Sequence, residues 1–145
     1  MRQLIDIPSC VPAVPGLENA GAEFFAGEVE ELSGLDRVIG LAEVMDFLAV
    51  IHGEDRMMDI IDVMDKKGLY LQGHAPYVSG RMLSAYLCGG PNTCHETRDR
   101  KEALEKLRSG MFVDARDSSI TKNVQEVYEG VKGVRFFDHL CLCTD

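Results

Sequence analysis

The chain has 145 residues, 46% of them apolar and 27% charged, with a formal net charge of −9. That length allows one domain with a sizeable core, and the acidic balance argues against nucleic acid and anionic membranes as partners, since both need a basic face. No apolar run approaches a membrane span, no basic-then-apolar leader opens the chain, and five cysteines without a secreted framework spacing lead us to expect a reducing, cytoplasmic compartment.

In chain order, "RQLIDIPSC" (2–10) reads as a strand that ends at Pro8. "VPAVPGLENAGAEF" (11–24) is a loop punctuated by Pro and Gly. Apolar residues take helical spacing from Ala22 to Leu32 and stop near Gly34. "RVIGLAEV" (37–44) is a short apolar strand. Asp55 is placed to cap a helix over Arg56 to Lys67, with Met57, Ile60, Ile61 and Met64 on one stripe and Gly68 at its end. "LYLQ" (69–72) is a buried strand, broken by Gly73-His74-Ala75-Pro76. Ser79 is placed to cap the next helix, with Met82, Leu83, Tyr86 and Leu87 inward, stopped by Gly89-Gly90. "PNTCHE" (91–96) is a short extended segment, and Thr97 is placed to cap "RDRKEALEKLRS" (98–109), which closes on Gly110. "MFVDAR" (111–116) is a strand. Ser118 or Ser119 caps a helix with Ile120, Val124, Val127 and Tyr128 inward, and "VRFFDHLCLCTD" (134–145) is the last strand.

Such alternation predicts an α/β fold, a parallel sheet with crossover helices. Neither a dinucleotide-binding GxGxxG nor a phosphate-cradling lysine loop is present. Units of roughly 20 to 30 residues fit a (β/α)8 TIM-type barrel, but a whole barrel needs about 250 residues. The expectation is therefore a partial barrel of about five to six parallel strands, with residues 1–145 forming one segment of it.

In barrels of this kind the chemistry collects at the C-terminal ends of strands. Those ends carry Glu43, His74, His95, Arg116 and Asp145. A histidine at a strand tip can hold a metal or a proton, or it can be a polar residue opening a loop, and one histidine does not decide between them. Glu43 alone fits an ion pair, His95 a helix entry, and Asp145 a frayed end. Placed together at successive tips, two imidazoles and two carboxylates make a metal site the natural hypothesis. In such a site a metal-bound water becomes the nucleophile, and an aspartate such as Asp145 can take its proton. His52, in a Gly-containing loop, and His139, in mid-strand, are read as structural. Cys141 and Cys143 lie two apart, on one face of a strand. Without CxxC pairs they read as small buried thiols more readily than as a zinc site.

The stretches "PSCVPA" (8–13), "VIGLAEVMDF" (38–47), "GHAPYVSGRMLSAYLCGG" (73–90), "HETRDRKEALEKLRSGMFVDARDSS" (95–119) and "CLCTD" (141–145) resemble the bacterial adenine deaminases of the amidohydrolase superfamily, in order and over nearly the whole chain. The resemblance implies hydrolysis of adenine to hypoxanthine and ammonia at a binuclear centre of iron or manganese in a (β/α)8 barrel. It matches Glu43 to a carboxylate bridging two metals, His74 and His95 to ligands of the second metal, and Asp145 to a ligand of the first that also shuttles a proton. Glu96 follows the histidine as in the family's Asp-His-Glu, where it counts as catalytic, but Cys94 stands in place of that Asp. Arg116 and Ser119 match a substrate-pocket loop, with Asp117 and Ser118 departing from its Arg-Glu-Gly-Ser pattern. The superfamily's first-strand His-x-His is absent from this sequence. The resemblance therefore implies an internal fragment that is inactive by itself and, with edge strands open, self-associates as a homo-oligomer. Two alternatives stay open: a non-catalytic domain binding a purine or a metal, and a hydrolase of another cyclic amidine or amide. Ligands of this type suit zinc as well as iron and manganese.

Overall fold

The computed structural model of the chain describes every residue except Phe136 and Asp145. Strands and helices alternate as β1 (Ile5–Pro8), α1 (Ala26–Leu32), β2 (Val38–Val44), α2 (Phe47–His52), α3 (Asp55–Lys66) and β3 (Tyr70–Gly73). They continue as α4 (Gly80–Cys88), β4 (Thr93–Cys94), α5 (Arg100–Arg108), β5 (Phe112–Arg116), α6 (Val124–Val131) and β6 (Leu140–Cys143). The strands pair in parallel as two three-stranded sheets, β1-β2-β3 and β4-β5-β6. Parallel neighbours need a crossover between them, supplied here by α1, the α2–α3 pair, α5 and α6, while α4 leads from one sheet to the other.

Side chains join the two sheets. The Gly73 N–H donates to Thr93 Oγ1 at 2.8 Å, and that hydroxyl donates to Gln72 Oε1 at 2.9 Å. A Cβ at Gly73 would lie 2.3 Å from the Thr93 carbonyl oxygen, so this approach of β3 to β4 requires glycine.

The first core packs Val29 of α1, Met57, Ile60, Ile61 and Met64 of α3, and Leu83 and Tyr86 of α4 with Leu41, Val44 and Leu71 of the sheet. The α3 stripe is the one its i, i+3, i+4, i+7 spacing predicts. The second core sets Ala103 of α5 and Val127 and Val131 of α6 against Val113 and Ala115 of β5. Helix α5 ends in a Schellman motif: Gly110, at φ +83°, donates to Leu107 O, and Met111 donates to Lys106 O, each at 3.1 Å.

Several local expectations are corrected. Helix α2 was not anticipated, because six residues are too few to show a period; the Asp46 carboxylate caps it by accepting from Ala49 N at 3.1 Å. His52 therefore closes a helix and does not sit in a loop. Asp99 caps α5, accepting from Lys101 N and Glu102 N, whereas Thr97 is buried ahead of it. Ser79 does occupy the α4 cap position, but its side chain makes no cap bond. Ile120 is exposed because α6 starts only at Val124, and Tyr128 is exposed because the inward pair is Val127 and Val131. Met82 is exposed as well, the buried residues of α4 being Leu83 and Tyr86. The last strand starts at Leu140, after a turn that holds His139. Cys141 is exposed and Cys143 half-buried, so the pair is not the two buried thiols expected. No described helix is long and apolar enough to cross a membrane.

Candidate metal centre

Glu43 is the penultimate residue of β2, where Ser9 anchors the backbone. The Ser9 hydroxyl donates to the Glu43 carbonyl oxygen, and Ser9 N donates to Ala42 O at 3.2 Å. His74 follows β3 directly, and its N–H donates to Tyr86 Oη at 3.0 Å. The same phenol donates to Val44 O at 3.2 Å, so one buried α4 side chain spans two strand ends. Burial pushes the Tyr86 phenol well above its ordinary range, which keeps it a neutral donor. His95 follows β4; its carbonyl accepts from Asn123 Nδ2 at 2.8 Å, and Asn123 Oδ1 accepts from Arg116 N at 2.6 Å.

The three side chains meet. Glu43 Oε2 lies 2.8 Å from His74 Nδ1 and 2.6 Å from His95 Nε2, and the two ring nitrogens are 3.3 Å apart. Their side chains are 28%, 17% and 15% exposed, withdrawn from bulk water yet reachable. Burial raises the Glu43 carboxyl, but hydrogen bonds from His74 and His95 outweigh it and hold the group at about 2. A carboxylate oxygen and two imidazole nitrogens within 4.8 Å of one another are a donor set for a divalent transition ion. Zinc, iron and manganese all accept these donors.

Beside them opens a cleft of about 620 Å³, lined by Glu43 and His95 together with Asp6, Gln72, Asp114 and Cys143. That volume is in the range of small-molecule sites. Burial raises the carboxyls of Asp6 and Asp114; for Asp114, His95 and a hydrogen bond from Cys141 oppose the rise. These two acids face inward from mid-strand, so a reading confined to strand tips passes over them.

The other anticipated residues sit elsewhere. Glu96 is buried, with Arg116 on one oxygen and Arg98 Nη2 2.8 Å from the other. Arg116 is buried at the end of β5, and Ser119 is exposed in the bend that follows. Among the described residues, none of these three lines the cleft. Asp145 lies outside the described residues. The supporting side chains Ser9, Tyr86 and Asn123 were missed. Tyr86 sits on an inward helical stripe, where periodicity reports burial and not the partner of a polar atom.

No family model matches the chain. It is 42% identical, over 99% of its length, to an adenine deaminase of Shewanella halifaxensis. It is 39% identical over 97% of its length to one of Bdellovibrio bacteriovorus, and 40% identical over 96% to one of Methanocaldococcus jannaschii. In these three matches the chain spans 24%, 24% and 25% of the relative, about a quarter of their length. The chain is thus a sequence relative of the adenine deaminases, similar from end to end to a quarter-length segment of them.

Proposed function

We propose that residues 1–145 are one segment of a (β/α)8 metal-dependent hydrolase barrel, and that the complete protein deaminates adenine to hypoxanthine and ammonia. The convergence of Glu43, His74 and His95 from three successive strand ends carries this reading. The names of the relatives support adenine as the substrate. Iron or manganese is the proposed metal, in a binuclear centre to which this chain contributes Glu43, His74, His95 and Asp145. A bound divalent ion supplies a water whose pKa is lowered toward neutrality. His74 and His95 offer ring nitrogens, and Glu43, ionised far below neutral pH, offers an anionic oxygen. Glu96 and Asp145 are the proposed proton carriers, and Arg116 and Ser119 the proposed pocket residues, of the complete protein; within this segment Glu96, Arg116 and Ser119 lie outside the cleft. The arginine pair on Glu96 holds its carboxylate in one orientation. The protein works in the cytoplasm on this reading.

Elemental analysis of the purified chain tests the centre. About one divalent ion per chain is expected in the wild type, and at least a tenfold weaker hold in His74→Ala. Absence of metal from both would overturn the assignment. The chain spans only a quarter of its relatives, so the isolated segment is expected to turn over adenine far below the ~1 s⁻¹ of an ordinary enzyme. A hypoxanthine assay showing an ordinary rate would refute that.

A further inference from the structure

Helix α5 carries a buried ion pair at i, i+4, with Lys106 fully buried and Glu102 nearly so. An ammonium there needs a partner for each donor, and Lys106 has three. Its Nζ lies 2.6 Å from Glu102 Oε1, 2.7 Å from Ala75 O and 3.1 Å from Cys94 Sγ. Glu102 reaches the same two segments, accepting from Tyr77 N and from Arg98 N, each at 2.9 Å. Ala75 N completes the set by donating to Cys94 Sγ at 3.4 Å.

The positions of these contacts give them meaning. Ala75 directly follows His74, and Cys94 directly precedes His95. The pair thus grips the chain beside each histidine and lies against both segments at once. Buried ion pairs are weak stability devices, and fixing geometry is their better-attested use. We infer that Lys106 and Glu102 are positioning residues that set the spacing of His74 and His95, with the Cys94 thiol as the acceptor through which the ammonium reaches the second histidine. Neither residue touches the centre itself. The inference rests on Glu43, His74 and His95 holding a metal only in what it says of affinity; the spacing it predicts exists without metal.

Two readouts on the full chain separate those parts. In metal-free wild type the rings, with centroids 5.2 Å apart, should give an NMR cross-relaxation signal between His74 and His95. Cobalt(II) titration, followed by its visible absorption, reads the affinity of the three ligands. In Glu102→Gln/Lys106→Met, which strands no charge, the ring signal should disappear and cobalt affinity fall by about 10–100-fold. Far-UV circular dichroism should stay unchanged. Lys101→Met, exposed on the same helix, should change nothing. If the double variant does not fold, Lys106→Gln carries the same readout. A folded variant with the wild-type ring signal overturns the inference. A wild type with the ring signal and no cobalt uptake overturns the metal reading instead, and the loss or persistence of that signal in the variant still decides the role of the pair.

Discussion

Glu43 is the residue on which two opposing effects can be weighed. Burial favours its neutral form and the two imidazoles favour its anion; the imidazoles win, and the carboxyl sits at about 2 against an ordinary 4.5. A carboxyl depressed on folding contributes stability that is complete above the unfolded value and is lost as pH falls toward the folded one. In the metal-free chain that window runs from 4.5 down to about 2. Urea unfolding at about pH 5.5 and about pH 3 should therefore show a larger fall in midpoint for wild type than for Glu43→Gln. Equal falls would mean that the imidazoles do not stabilise the anion. Little of this was legible beforehand. The sequence places Glu43 at a strand end, but nothing in it says that His74 and His95 both turn toward one oxygen.

Among the elements, the caps offer the sharpest contrast between sequence and structure. Thr97, Asp99 and Ser79 are all good N-cap residue types. Only the Asp99 side chain accepts helix N–H groups, at 2.8 and 2.9 Å, whereas Ser79 makes no such bond. Chemical denaturation of Asp99→Ala should show a loss of about 0.5–2 kcal/mol, with Ser79→Ala losing no more than a few tenths. The α3 stripe of Met57, Ile60, Ile61 and Met64 was readable because burial on one helical face imposes a period, and the glycine stops at Gly68 and Gly110 because they take φ of +65° and +83°. Helix α2 and the late start of α6 were not readable. Both follow from packing and from loop hydrogen bonds, and neither leaves a periodic trace.

At the scale of the molecule, β1 pairs only with β2 and β6 only with β5 among the described residues. Each is the edge strand of its sheet, and a sheet edge is a template for pairing with another chain. Ile5 and Leu142 on these strands are exposed. We propose that the chain self-associates through these edges. Sedimentation equilibrium at micromolar concentration should show a dimer or a larger species, and a single monomeric species would refute the proposal.

The sequence by itself determined the alternation of strand and helix, the parallel pairing it implies, the inward stripe of α3 and the relation to adenine deaminases. All of these rest on local periodicity or on linear motif order, which one dimension can hold. It also placed Glu43, His74 and His95 at strand ends. Only the tertiary structure decided that their ligand atoms meet, that Glu96 and Arg116 pair with each other beneath the surface, and that Tyr86, Asn123 and the Lys106–Glu102 pair grip the backbone beside the site. Those contacts join residues from 4 positions apart, Glu102 and Lys106, to 52 apart, Glu43 and His95. A buried polar side chain takes whichever partner the packing brings to it, and the packing is fixed by all the elements together.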